Sequence, residues 1–149
     1  MDKPKFVYVT YIATTPEKLW EALTSSSFTR QYFGGGLIES DWKEGSPVKL
    51  VKPGGDIYWD GKVLKSDPPR LLSYTFDAHA KFGNERPSRV VFELEPNGSN
   101  VKLTLTHDDF PLDSKVYTGI SGGWPKHLSS LKSLLEGGRP LELAVPCNS

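Results

Sequence analysis

The chain has 149 residues, of which 37% are hydrophobic and 11% aromatic, including four Trp. Eighteen basic and eighteen acidic residues cancel to a formal net charge of zero. Their interspersion removes the main reason to expect nucleic acid or an anionic membrane surface as a partner, and no run approaches the length of a membrane span.

A chain of this size reads as one domain over 1–149, with a core at about 5–138 and a short tail at 139–149. Such a domain buries roughly 70% of the surface its unfolded chain exposes, so no disulfide or metal is needed to hold it together. The single cysteine, Cys147, cannot form an internal disulfide, and no signal-peptide-like apolar run follows Met1. A reducing, cytoplasmic setting is therefore expected.

Phe6 to Ile12 alternates as a strand, with Phe6, Tyr8, Thr10 and Ile12 on one face and Val7, Val9 and Tyr11 on the other. Thr15-Pro-Glu17 then reads as a helix start. Thr15 is the N-cap, Pro16 suits the first helical position, and Glu17 meets the positive end of the helix dipole. Leu19, Trp20 and Leu23 make the apolar stripe of this helix. A second short helix restarts at residues 25–27 and carries Phe28, Tyr32 and Phe33 until Gly34-Gly-Gly36 ends it.

Past the glycines the period becomes two, and strands are predicted at about 37–41, 47–52, 56–66, 70–78, 87–96 and 100–108. The turns between them are short, so neighbours are expected antiparallel; a parallel pair needs a crossover of about a dozen residues or more. Val90, Phe92 and Leu94 share a face, as do Val101, Leu103 and Leu105, with Lys102, Thr104 and Thr106 outward. From Ser114 the helical period returns, interrupted by Gly119, Gly122, Gly123 and Pro125. Tyr117, Ile120, Trp124, Leu128, Leu131 and Leu135 form one stripe, and Gly137-Gly138 supplies the stop. At about 1.5 Å per residue this segment runs about 35 Å, enough to cross a sheet. The order β-α-α-β6-α is an α+β architecture with its longest helix on one sheet face.

Four segments carry a family resemblance: Thr15-Pro-Glu-Lys-Leu-Trp20, Asp41-Trp-Lys-Glu-Gly45, Asp67-Pro-Pro-Arg-Leu-Leu72, and Gly123-Trp124 ahead of the leucine-striped helix. Over about residues 5–138 the chain resembles the activator of heat-shock-protein-90 ATPase homologue family, within the START-like or SRPBCC superfamily. The resemblance implies the helix-grip fold, a curved seven-stranded antiparallel sheet around a long C-terminal helix with a hydrophobic cavity between them. Its motifs mark a fold and not an activity. The eukaryotic activators carry a further chaperone-contacting domain with no counterpart in these 149 residues, so the family name is not transferred as a function.

If Leu72, Tyr74, Phe76, Phe92 and Leu103 face the helix, they converge with Trp20, Tyr32, Phe33, Trp59, Trp124 and Leu128 on one interior. A mostly apolar pocket with a few oriented polar atoms is the usual small-molecule site; the plainer alternative is a solid core. His107 ends the inward series of the last strand, and His127 follows Trp124 beside the helix stripe. Both are candidate ligand contacts or general bases, against the plainer reading of histidines bonded to backbone or water. His79 falls in a loop with Lys81 and Gly83.

No metal, cofactor or catalytic residue is expected. There is no His-x-x-His, cysteine pair or His-Glu helix motif, and His107-Asp108-Asp109 point different ways along a strand. Gly34-Gly-Gly36 lacks the Lys-Ser/Thr of a phosphate loop. No Gly-x-Ser-x-Gly elbow occurs; Ser121 comes nearest and lacks the preceding strand.

Three functions compete. The first is a non-enzymatic binder of a small hydrophobic or amphipathic ligand. The second is an enzyme of the polyketide cyclase or dehydratase type, as some START-like relatives are, working by orientation and one acid or base. The third is a chaperone-accessory interaction protein, which needs an exposed apolar or one-sidedly charged surface. A homodimer through a sheet edge or the segment near 20–36 is left open.

Overall fold

The computed structural model describes residues 3–141; Cys147 and most of the tail at 139–149 lie outside them. In chain order the elements are β1 (Phe6–Ile12), α1 (Pro16–Thr24), α2 (Ser26–Tyr32), β2 (Leu37–Glu39), β3 (Pro47–Val51), β4 (Ile57–Asp67) and β5 (Leu71–Phe76). A 3-10 helix at His79–Phe82 follows, then β6 (Ser88–Asn97), β7 (Asn100–Asp108) and α3 (Lys115–Gly137). The seven strands make one sheet in the order β1-β7-β6-β5-β4-β3-β2, every pair antiparallel. This is the helix-grip fold. Strand bounds fall within two residues of the expected ones. At β2 the cause of early termination is visible: Ser40 Oγ accepts from the Trp42 amide, and Trp42 turns the chain at φ 61°.

Alternation fixes the register. Along β7 the inward residues Val101, Leu103, Leu105 and His107 are all fully buried, and along β1 Val7, Val9 and Tyr11 are about half exposed on the outer face. Bulges between Leu50 and Val51 and between Val63 and Lys65 bend β3 and β4 locally. Beside the second, β4 runs so close to β5 that a Cβ on Gly61 would lie 1.8 Å from the Thr75 carbonyl oxygen. Only glycine fits there.

Helix α1 starts as its sequence dictates, with Thr15 Oγ1 accepting the Lys18 amide at 3.1 Å. Its far end is held by the Trp42 indole, which donates to the Thr24 carbonyl at 3.0 Å. Helix α3 runs unbroken through its glycines and Pro125 to Gly138, which ends it at φ 81°. Its N-terminus is capped twice. Ser114 Oγ accepts the Tyr117 amide, and Glu85, from the segment after the 3-10 helix, accepts from Ser114 Oγ at 2.5 Å and the Lys115 amide at 2.6 Å. A carboxylate at this end also meets the positive helix terminus. Phe82 rests on Gly119, where a Cβ would come within 2.8 Å of its ring.

The buried stripe of α3 (Val116, Ile120, Trp124, Leu128, Leu131, Leu134) packs on the sheet's inner face. Near its end, Lys132 Nζ donates to the Tyr11 carbonyl and Glu136 accepts the Ala13 amide. These contacts occupy backbone groups at the end of edge strand β1, which would otherwise template pairing with another chain. The Lys132 ammonium, and then the Ala13 amide, hold the Glu136 carboxyl below its ordinary range. Among the described residues no helix is long and apolar enough to cross a membrane.

Candidate functional site

The inner face of the sheet and the middle of α3 meet in a cluster of rings. Phe33, placed at the end of α2 by the Gly34 stop, lies 4.6 Å from the His127 ring, 5.5 Å from Trp124 and 6.4 Å from Trp59, centroid to centroid. Trp59 of β4 packs on Phe76 at 4.9 Å and stacks on Tyr74 at 5.2 Å. Between them lies a void lined by Phe33, Trp59, Phe76, Ile120, Gly123, Trp124 and His127. Its volume is about 10 Å³, roughly the room one water needs. The hydrophobic cavity expected from the sequence is therefore nearly filled. The reason is stacking: large rings on β4, β5, α2 and α3 reach across the space that separates the layers.

Five of the expected site residues line this void: Phe33, Trp59, Phe76, Trp124 and His127. Others stand behind them. Tyr32 stacks on Phe33 at 5.8 Å and donates its hydroxyl to the Ala22 carbonyl. Tyr74 and Phe92 back Trp59 and Trp124. Leu103 and Leu128 are ordinary core, and Trp20 is only partly buried against that core. Ile120 and Gly123 were not foreseen as lining. Ile120 belongs to the helix stripe, so its burial was legible; Gly123 bares helix backbone to the void, which a hydropathy pattern does not register.

His107 is fully buried and both its ring nitrogens are engaged. The Trp124 indole donates to Nδ1 at 3.0 Å, so in the neutral ring Nε2 carries the proton. Nε2 then donates to Ser88 Oγ at 2.7 Å, and Ser88 donates onward to the Phe76 carbonyl. Burial pushes the His107 pKa down to about 3, only partly countered by Asp108. Both ring nitrogens of His107 are thus taken up by protein partners, and the imidazole links β7 to β6 and α3. His127 lines the void and donates from Nδ1 to the Tyr32 carbonyl at 3.3 Å. Burial raises the pKa of both Tyr32 and Tyr74, with a smaller push from Tyr32 on Tyr74. The wall is mostly aromatic, with no carboxylate, lysine or arginine in it.

Other candidates disperse. Asp108 makes a two-point ion pair with Arg89, and Asp109 faces Arg86 at 3.6 Å, so neither joins His107. Ser121 donates to the Tyr117 carbonyl within its own helix. An apolar wall with one oriented imidazole suits binding of an apolar group better than proton transfer.

The decisive comparison is a match over residues 13–136 to the family described as activator of Hsp90 ATPase homolog 1-like protein. The chain belongs to that family. No curated protein matches it. Among solved structures, the family fold recurs in protein MLL2253 from Mesorhizobium loti, at 28% identity and a TM-score of 0.77, covering 89% of this chain and 96% of that one. The Aha1 dimer from Colwellia psychrerythraea matches at 23% identity and a TM-score of 0.74, covering 91% and 98%. PFC0360w, an Hsp90 activator from Plasmodium falciparum, matches at 22% and 0.74, covering 88% and 95%. Likeness at 22–23% identity speaks for the fold alone.

Proposed function

We propose that this family member is a non-catalytic binding protein. Its ligand is a small apolar or amphipathic molecule taken into the seam between α3 and strands β4 and β5. The observation that carries this reading is the mostly aromatic wall around the residual void, in which the bond to Tyr32 orients the His127 imidazole. Because the void holds about one water, the ligand must wedge the rings apart. A buried chain of eight methylenes gains about 6 kcal/mol at about 0.8 kcal/mol each, and ring displacement is set against that gain. Affinity is accordingly expected in the micromolar range or weaker. Native mass spectrometry with medium-chain fatty acids and an environment-sensitive dye tests it. Saturable one-to-one uptake supports the reading, and no uptake of either probe removes it.

A second reading rests on the same packing. A nearly filled interior leaves the surface to act, and the outer face of β1 exposes Val7, Val9 and Tyr11. An accessory role toward a chaperone, as printed for the Plasmodium relative, fits such a face. Stimulation of a purified Hsp90 ATPase that Val9→Asp abolishes would favour it over ligand uptake. The cyclase-type enzyme draws least support, since the internal bonds of His107 occupy the ring nitrogens a base would need. Dimerisation, printed for the Colwellia relative, is tested by sedimentation.

A further inference from the structure

Outside the aromatic cluster, Asp60, Asp77 and His79 come together among the described residues. Asp60 of β4 and Asp77, just past β5, are directly opposite one another. Their backbones exchange hydrogen bonds, Asp60 N to Asp77 O at 3.2 Å and Asp77 N to Asp60 O at 2.8 Å. Like charges on such a cross-strand pair repel unless a cation lies between them. The chain brings an imidazole to that position. Asp77 Oδ1 accepts the His79 amide at 2.8 Å, and the backbone turns at φ 55°. His79 Nε2 then sits 2.7 Å from Asp60 Oδ1 and Nδ1 lies 3.6 Å from Asp77 Oδ1.

We propose that Asp60, Asp77 and His79 form a binding site for one divalent first-row transition ion. One ligand atom from each residue lies within 4.8 Å of the others. Donors at 2.0–2.2 Å around a tetrahedral ion lie roughly 3.4 Å apart, so small side-chain rotations complete the set. Those rotations are available, because the side chains are 37%, 26% and 55% exposed. Two carboxylate oxygens with one imidazole suit zinc, manganese or cobalt better than a soft monovalent ion. Exposure lets a hydrated ion enter and leaves waters in the remaining positions. The ion would tie β4 to the segment that carries Phe82 onto Gly119 and Glu85 onto the start of α3. It thus joins three elements around one rim of the sheet, and it does not depend on the ligand-binding reading. Sequence spacing hid it, because Asp60 arrives from a neighbouring strand.

The test uses untagged full chain stripped with EDTA and titrated calorimetrically with Zn²⁺, and optically with Co²⁺. One saturable equivalent is expected, with cobalt absorption in the visible. Hydrogen exchange over 77–84 is expected to slow. Asp77→Asn, at a partly buried side chain that keeps its Oδ1 acceptor for the His79 amide, and His79→Gln, at an exposed one, are each expected to weaken binding at least about tenfold while shifting metal-free melting only slightly. Absence of saturable binding overturns the proposal. So does binding that survives unchanged in both variants, which would place the ion elsewhere, for example at Cys147.

Discussion

His107 touches Trp124, Ser88, Phe76 and Phe110 at once, and its chemistry follows from those neighbours. Its native pKa of about 3 lies below the ordinary 6.5, so between those values the unfolded chain holds a proton that the folded chain refuses. Stability is thus full above the unfolded value and falls on acidification toward the folded one, by up to about 1.4 kcal/mol per pH unit. His107→Gln does not titrate there and is expected to flatten the fall in melting temperature from neutral to mildly acidic pH. An unchanged slope contradicts a neutral, buried imidazole. Trp124→Phe keeps the ring but removes the donor to Nδ1. It is expected to cost about 1–3 kcal/mol in urea unfolding, and a cost near zero would mean the indole bond is not a strut. His107's inward placement was legible from alternation in β7; its partners were not, because Ser88 and Trp124 come from other elements.

Among the elements, β4 and β5 carry the tightest constraint. Gly61→Ala would push a methyl into the Thr75 carbonyl, and backbone cannot yield as a side chain can. We expect a loss of several kcal/mol, on the order of the larger single-site effects, seen as a lower denaturant midpoint. Wild-type stability in this variant would place the strands farther apart than described. The sequence announced these strands through their period of two, and α3 through its stripe. Three signals went unread. Gly61 looked like any strand glycine, the end of β2 depended on Trp42 adopting positive φ, and Glu85 capped α3 from 30 residues upstream of Lys115. The first and last are contacts between distant segments, which local periodicity does not encode, and the second is a local backbone turn that a side-chain pattern does not register.

At the scale of the molecule, a seven-stranded sheet and one long helix enclose rings that nearly fill their own space. Pattern alone established the layers; whether rings leave a hollow depends on rotamers and layer spacing, which composition does not fix. Ile120→Ala enlarges the void on its helix side. It is expected to cost about 2–4 kcal/mol while tightening uptake of a medium-chain fatty acid. A destabilised variant with uptake no better than wild type would detach the void from binding.

The most direct measurement is an NMR titration of the full chain with a medium-chain fatty acid, following the indole resonances of Trp59 and Trp124 and the imidazole of His127. Saturable one-to-one shifts centred on these three side chains are the predicted result. Shifts that never saturate, or that gather on Val7, Val9 and Tyr11 while the interior stays silent, would contradict a ligand in the seam.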